Sequence, residues 1–282
     1  MSTHVIPNHP SHPHETTIIL LHGRSSTADA FQKDIFSHKT SSGLTLQESL
    51  PTVRWIFPAS GLTYCTDADD ERNSWFDTYS LDDLEEKSEL QVDGLRTRVK
   101  QIGDVVEKEL ELLGGKSERL VIGGFSQGGA TNLFTFLNGV MTRNGRLGGI
   151  LLLSTWLPFA SKAREAMKEI HEDKQAARTE QNIENKQLEA IVSKLRRIVS
   201  LEDGLGSGRL VDMLQTPVFQ GHGRDDQEVS FSYGQSLCAL LDDAGFNVEW
   251  HEYSGMERLG HWIKEPEEFD HIVHFIKRNV GE

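Results

Sequence analysis

A serine flanked by glycines is the feature of this sequence best suited to chemistry. The motif Gly124-x-Ser126-x-Gly128 follows an apolar run at 120–122 and precedes apolar side chains at helical spacing. Where a strand turns sharply into a helix, the apical residue has a strained backbone, and residues two positions away have no room for a side chain. A plain glycine-rich turn has the same spacing, but the flanking patterns favour a nucleophilic hydroxyl at Ser126.

A serine hydroxyl needs a base, and the base needs an acid, to attack near neutral pH. His261 follows Gly260 in a predicted loop, whereas the histidines at 222, 251, 271 and 274 lie at a strand end, in a strand or in the last helix, where structural or surface roles are favoured. Asp225 and Asp226 both follow a predicted strand, and residue chemistry alone does not separate them. The order serine, aspartate, histidine is typical of hydrolases.

Strands and helices alternate along the chain, which predicts an α/β fold with a mostly parallel central sheet. Continuous apolar runs predict buried strands, and the 3.6-residue periodicity predicts helices. The predicted strands are 16–21, 53–58, the run ending before Ser126, 149–154, 216–223 and 248–253, and the predicted helices include 89–113, 233–244 and a last one from about Pro266. The carboxyl ends of parallel strands meet at one edge, where ligands bind. Residues 59–80 are expected to be loop-rich.

The chain of 282 residues is long enough for one large domain, expected over 16–282. Residues 1–15 alternate histidines with prolines and are predicted to be a flexible lead-in rather than a metal-binding tract. Residues from about 161 to 208 are rich in charge, with weak helical periodicity. They are predicted to form a helical insertion. Either a lid over the active site or a solvated surface insertion fits the pattern.

Composition excludes several classes of function. The 29 basic and 43 acidic residues give a formal net charge of -14, which argues against nucleic acid or anionic lipid as a partner. Cys65 and Cys238 have neither metal-ligand nor disulfide-framework spacing, so a reduced, cytoplasmic setting is expected. The serine chemistry expected of Ser126 needs no metal or cofactor. No apolar run reaches the length of a membrane span, and the N-terminus has no signal-peptide pattern.

Several segments together resemble one family of enzymes. The sequence from about 16 to 280, interrupted by the insertion, is similar to the acyl-protein thioesterases and lysophospholipases (the phospholipase/carboxylesterase family) and looks closest to a branch common in filamentous fungi. The matching segments, in family order, are Leu20-Leu21-His22-Gly23, Ser74-Trp75-Phe76-Asp77, Gly123–Ala130, Ser154-x-Trp156-Leu157-Pro158, Gly221-His222-Gly223-x-x-Asp226-x-x-Val229 and Gly260-His261. This resemblance implies an α/β-hydrolase fold.

The resemblance also implies roles for individual residues. It selects Asp226 over Asp225 as the acid, because the family's acid stands four residues after the histidine of His-Gly. It implies oxyanion donors at the backbone N–H groups of Arg24 and Gln127. By the same resemblance, Trp75-Phe76 and Trp156-Leu157 are expected to wall the substrate site. Two features depart from the family: Arg24-Ser25-Ser26 stands where relatives have x-Gly-Asp, and the charged insertion is longer than in small thioesterases.

The expected activity is therefore hydrolysis of a carboxylic ester or thioester through an acyl-enzyme, on a small ester or an acylated substrate such as a lipidated protein. A carboxylesterase for a secondary-metabolite or other soluble ester is the alternative. A non-catalytic binding protein on the same fold is disfavoured, because it has no need to keep Ser126, Asp226 and His261 together. The resemblance does not define the natural substrate, and the sequence does not define the oligomeric state.

Overall fold

A seven-stranded sheet forms the centre of the computed structural model, which describes residues 1–172, 180–201 and 205–281. The strands of the described residues are β1 (Thr3–Ile6), β2 (Thr16–Leu21), β3 (Val53–Pro58), β4 (Leu62–Cys65), β5 (Asp70–Asn73), β6 (Leu120–Phe125), β7 (Gly149–Leu153), β8 (Val218–Gly223) and β9 (Val248–Tyr253). The strand order of the seven-stranded sheet is β1-β3-β2-β6-β7-β8-β9. Among its described pairings, β1 with β3 is antiparallel and the others are parallel. Strands β4 and β5 form a separate hairpin.

Helices cover both faces of the sheet. They are α1 (Ala28–Ser37), α2 (Leu46–Ser49), α3 (Gln91–Leu112), α4 (Gln127–Leu137), α5 (Ala160–Glu172), α6 (Glu180–Ile198), α7 (Ser207–Leu214), α8 (Phe231–Asp243) and α9 (Glu267–Val280). One apolar cluster lies between the sheet and α3, α4, α6 and α8, and a second lies between the sheet and α1 and α9. The predicted mostly parallel sheet with helices on both faces is confirmed.

The two clusters explain why the central strands read as unbroken apolar runs. In β2, Ile19 and Leu21 point into one cluster, and Ile18 and Leu20 point into the other. All six residues of β2 are buried. A strand covered on both faces has no solvent-facing side on which polar residues could alternate. The continuous apolar run that results predicted the position of β2 correctly. Strand β9 lies at the sheet edge and its residues are half-buried except for Tyr253.

The N-terminal residues differ from the sequence-based expectation. The flexible lead-in expected over 1–15 is wrong for Thr3–Ile6, which form β1 and pair with Trp55 to Pro58 of β3. Proline lacks the N–H that a strand interior needs, and Pro7 follows the strand directly, so the prolines end β1 rather than prevent it. The loop-rich region 59–80 also contains the β4–β5 hairpin.

The charged insertion lies between β7 and β8 and contains α5, α6 and α7. Apolar side chains of α6, including Leu188, Ile191 and Leu195, are buried in the cluster that also contains Phe134 of α4. Arg96 of α3 donates a hydrogen bond from Nε to the carbonyl of Val199 at 3.0 Å. The described part of the insertion is thus packed against the helical layer. Residues 173–179 and 202–204, which the predicted insertion includes, lie outside the described residues. Within the ranges that the structure describes, no helix has the length and apolar character needed to cross a membrane.

Candidate active site

Ser126 stands at the sharp turn between β6 and α4. Its backbone has φ 54 and ψ -127, a strained combination for a residue with a side chain. Its N–H donates to the Leu153 carbonyl at 2.8 Å, and its own carbonyl accepts from Thr155 Oγ1 at 2.7 Å. A Cβ on Gly124 would lie 2.5 Å from the carbonyl carbon of Gly128, which explains the glycines of the motif. Hydrogen bonds to both its N–H and its carbonyl therefore fix the backbone of Ser126 at this turn.

The Ser126 hydroxyl points toward His261. Nε2 of His261 lies 3.0 Å from Oγ of Ser126, and Nδ1 lies 2.7 Å from Oδ2 of Asp226. Asp226 follows β8 and His261 follows β9, so the three side chains meet at the carboxyl ends of β6, β8 and β9. The neighbouring Asp225 points elsewhere, because its Oδ2 accepts a hydrogen bond from the N–H of Gly255 at 2.9 Å. The structure brings together Ser126, Asp226 and His261.

The Asp226 carboxylate is held in its charged form. Burial by itself raises the pKa of Asp226, but hydrogen bonds from His222 and His261 and the charge of His261 outweigh it and lower the pKa to about 2. The N–H groups of Glu228 and Val229 each donate to Oδ1 at 2.9 Å. A carboxylate with this many donors is oriented and remains negative at neutral pH. It therefore fixes the proton of His261 on Nδ1 and leaves Nε2 free to accept from Ser126.

Arg24 and Gln127 both lie close to Ser126 along the backbone or across the cavity lining. Gln127 is the first residue of α4, and Arg24 follows Gly23, at which a Cβ would lie 3.4 Å from Ser126 Cβ. Within the described residues, the backbone N–H groups of Arg24 and Gln127 make no hydrogen bond. The helix dipole of α4 also directs positive potential to this point. The two N–H groups therefore have the chemistry needed to bind a developing oxyanion.

The aromatic pair expected to wall the substrate site lies in the core instead. Trp75 and Phe76 are fully buried and do not line the cavity beside Ser126. The Gln127 side chain binds their loop: Oε1 accepts from the N–H of Trp75 at 2.9 Å, and Nε2 donates to the Phe76 carbonyl at 2.8 Å. Trp75 Nε1 then donates to the carbonyl of His22 at 2.8 Å, next to the Arg24 loop. Trp75 thus connects the start of α4 to the segment that contains His22 and Arg24.

Trp156 and Leu157 are also buried in the core cluster and do not line the cavity. The placement of all four aromatic and apolar residues thus differs from the expected substrate wall. A tryptophan or leucine in a loop satisfies a core and a cavity equally well, so residue type alone does not distinguish the two.

A cavity of about 480 Å³ opens beside Ser126 and His261. Its apolar lining consists of Phe31, Leu81, Phe125, Leu259 and Trp262. No described residue of the insertion contributes to it, so the expected lid is not seen over the cavity in the part of the insertion that the structure describes. The His261 ring packs against Phe125, with ring centroids 4.7 Å apart.

Sequence reasoning missed the charged residues of this cavity, which are Arg72, Glu228 and Arg258, and identified Arg24 only for its backbone. Glu228 and Arg258 lie within three residues of Asp226 and His261, so proximity to the catalytic candidates was a usable signal for them. Arg72 lies in the β4–β5 hairpin, and no feature of the sequence marks it. Over the described residues, no cluster of His, Cys, Asp and Glu side chains has the arrangement of a metal site.

A parallel sheet with a strand–serine–helix turn, and a histidine and aspartate presented from later strands, defines an α/β-hydrolase. The profile of the Phospholipase/Carboxylesterase family matches residues 3–189. The chain belongs to that family, as the resemblance of its motifs indicated.

Individual relatives agree with this assignment. Acyl-protein thioesterase 1 of Cryptococcus neoformans is 26% identical over 241 residues, covering 85% of this chain and 78% of that protein. Carboxylesterase SOBER1 of Arabidopsis thaliana is 26% identical over 266 residues, covering 94% and 91%. The crystal structure of Zea mays acyl-protein thioesterase 2 has a TM-score of 0.64 at 21% identity, with 99% of each chain covered. This last likeness is one of fold.

Proposed function

We propose that the protein is a serine hydrolase that cleaves carboxylic ester or thioester bonds through Ser126, His261 and Asp226. The observation that carries the proposal is the continuous hydrogen-bonded chain from Ser126 Oγ to His261 Nε2, at 3.0 Å, and from His261 Nδ1 to Asp226 Oδ2, at 2.7 Å. Nucleophile, base and orienting acid are within the reach that proton transfer requires before any substrate binds.

In the proposed reaction, Ser126 Oγ attacks the carbonyl carbon while its proton passes to Nε2 of His261. The carbonyl oxygen becomes an oxyanion, which the backbone N–H groups of Arg24 and Gln127 bind. His261 then gives its proton to the departing alcohol or thiol, and the acyl group remains on Ser126. A water molecule loses its proton to His261, attacks the acyl-enzyme and releases the acid, and Ser126 recovers its proton.

Asp226 acts in this scheme by holding His261 in one orientation and stabilising its charged form. Its low pKa, about 2, supports that role, because the carboxylate stays ionised throughout the neutral range. Trp75 and Gln127 are positioning residues: they connect the loop of Arg24 to the start of α4 through the hydrogen bonds at His22 and Trp75.

The substrate class is proposed from the relatives and from the lining of the cavity. The names of the relatives support acylated substrates, either lipidated proteins or small carboxylic esters. The apolar lining of the 480 Å³ cavity supports a hydrocarbon part in the substrate. We also propose a cytoplasmic location, supported by the free Cys65 and Cys238.

Labelling with a fluorophosphonate probe tests the proposal. Wild type should be labelled at Ser126, and Ser126→Ala should lose both labelling and ester hydrolysis, the latter by roughly a million-fold if the scale of subtilisin applies. Ser26→Ala is the matched control, because Ser26 also lines the cavity and should leave labelling intact. Activity of Ser126→Ala within tenfold of wild type would contradict the assignment. A series of 4-nitrophenyl esters then separates short from long acyl groups.

A further inference from the structure

Arginines predominate among the charged residues that line the active-site cavity. Its charged residues are Arg24, Arg72, Arg258 and Glu228. The full sequence has 43 acidic and 29 basic residues, so a random sample of its surface would be acidic. An excess of guanidinium groups beside Ser126 therefore requires its own explanation, since cationic clefts raise the local concentration of anions.

Two of the three arginines already have carboxylate partners. Arg24 is paired with Asp67. Arg258 lies 3.0 Å from Asp34, and its guanidinium carbon lies 3.8 Å from the ring centroid of Trp262. Their charges are largely balanced by protein groups, and the contacts hold both side chains in the cavity wall.

Arg72 is different. Its side chain is exposed, lines the cavity and makes no ion pair or hydrogen bond with any of the described residues. It is nevertheless attached to a well-anchored element. Two contacts join the β4–β5 hairpin to the loop that follows β2, here called the oxyanion loop (residues 22–26). They are the hydrogen bond from Ser25 N–H to the Asn73 carbonyl, at 2.7 Å, and the Arg24–Asp67 ion pair. The hairpin thus places Arg72 in the wall of the cavity that contains Ser126, and Glu228, which also lines this cavity, forms no ion pair with it.

We infer that the cavity selects esters or thioesters that carry a carboxylate, and that Arg72 is the specificity-determining residue that pairs with it. The inference rests on the proposed function and names its substrate class. Guanidinium and carboxylate groups match in geometry and form paired hydrogen bonds, which gives arginine its preference for this partner. The apolar lining, including Leu81 and Leu259, contacts the hydrocarbon part between the carboxylate and the reacting carbonyl.

A pair of esters of equal length tests the inference. The mono(4-nitrophenyl) ester of adipic acid carries a terminal carboxylate, and 4-nitrophenyl hexanoate has the same chain length without it. For Arg72→Gln we expect kcat/KM to fall about tenfold on the adipate ester, mainly through KM, and to stay within about twofold on hexanoate. In wild type, added salt should slow only the adipate reaction, and this dependence should weaken in the variant.

Arg143→Gln is the matched control. Arg143 is an exposed arginine that pairs with Glu107 and does not line the cavity, so its loss should alter neither reaction. A second pair, 4-carboxyphenyl butyrate and phenyl butyrate, places the carboxylate on the departing alcohol. An Arg72-dependent advantage on either pair supports the inference and identifies the side of the substrate. An Arg72→Gln variant that retains wild-type ratios on both pairs overturns it.

Binding separates failure of the inference from failure of the proposed function. Calorimetric titration of Ser126→Ala with 4-carboxyphenyl butyrate and phenyl butyrate measures recognition of the carboxylate without turnover. The same titration of the double variant, which also carries Arg72→Gln, shows whether this recognition depends on Arg72. Turnover of all esters with no Arg72 effect on either rate or binding would retain the proposed function and reject the inference. If binding depends on Arg72 but wild type turns over none of the esters, carboxylate recognition by Arg72 is retained and the proposed hydrolase function is rejected.

Discussion

Nε2 of His222 lies 3.3 Å from Oδ2 of Asp226, the same oxygen that binds His261. The same Nε2 lies 2.9 Å from the carbonyl of Val229, which accepts only, so this nitrogen carries a proton. His222 is fully buried, and its Nδ1 has no hydrogen-bond partner among the described residues. A second histidine thus donates toward the proposed catalytic acid and limits its movement.

Replacement of His222 by Gln should weaken this support. We expect kcat to fall about tenfold, since a hydrogen bond to a charged group contributes roughly 1.5–3 kcal/mol. The pKa of Asp226 should rise from about 2 toward its ordinary value. A depressed carboxyl pKa stabilises the fold above pH 4, and this contribution is lost as pH falls toward 2. The difference in free energy of unfolding between wild type and His222→Gln should therefore narrow below pH 4.

Thermal unfolding from pH 3 to 7, together with the rate measurements, checks this prediction. His274→Gln is the control, because His274 is exposed on α9. If His222→Gln matches wild type in kcat and in its unfolding profile, His222 has no influence on Asp226.

A buried carboxyl group should make stability fall at alkaline pH. Glu268 is 2% exposed and lies against Gly221 of β8. Burial raises its pKa to about 8, even though the hydrogen bond from the Lys264 N–H favours the carboxylate. The folded state then binds more protons than the unfolded state between about pH 4.5 and 8. The contribution of Glu268 is complete below this window and is lost as pH rises through it, by up to about 1.4 kcal/mol per pH unit.

Urea unfolding at pH 5, 6.5 and 8 measures this loss. Glu268→Gln removes the titration but keeps an oxygen for Lys264, so its free energy of unfolding should vary less with pH than that of wild type. Glu111→Gln, at an exposed position of α3, should retain the wild-type slope. Identical slopes for wild type and Glu268→Gln would show that this carboxyl does not titrate in the window.

Two glycine-to-alanine changes should have opposite effects. At Gly124 the new Cβ would lie 2.5 Å from the backbone of Gly128, so β6 and α4 must separate, at a cost of about 1–3 kcal/mol. At Gly103, inside α3, the nearest atom would be Val140 Cγ2 at an ordinary 3.6 Å. There alanine should stabilise the helix by up to about 1 kcal/mol. Thermal unfolding compares them directly, and equal melting temperatures for the two variants would refute the prediction.

Ser25, one of the residues that depart from the family motif, has a strained backbone. Ser25 has φ 63, in the left-handed region that glycine adopts without strain, and it stands where the motif resemblance places a glycine. Ser25→Gly should therefore leave activity unchanged and alter stability favourably, by about 1 kcal/mol at most. Ser26→Gly is the control: Ser26 has no positive φ, so glycine there adds only flexibility and should slightly destabilise. A melting temperature that falls more for Ser25→Gly than for Ser26→Gly would contradict this account.

The sequence determined the central strands and the strand–serine–helix turn. The predicted strands at 16–21, 53–58 and 248–253 agree with β2, β3 and β9 residue for residue. Strands buried on both faces must be continuously apolar, and a strand–serine–helix turn must have glycine where no side chain fits. These are local requirements, so they are visible in local sequence. Strand β1 was not predicted because it is short, half-buried and followed by prolines.

Contacts between distant segments required the tertiary structure. Residue chemistry alone does not separate Asp225 from Asp226, which only the family resemblance distinguished, whereas the backbone direction after β8 aims Asp226 at His261 and Asp225 at Gly255. Trp75 suits a cavity wall or a core, and the Gln127 side chain, distant along the chain, holds it in the core. Arg72 reaches the active site only because the hairpin docks on the oxyanion loop. Each outcome depends on which segments the fold brings together, since residue type specifies a chemistry but not its partner.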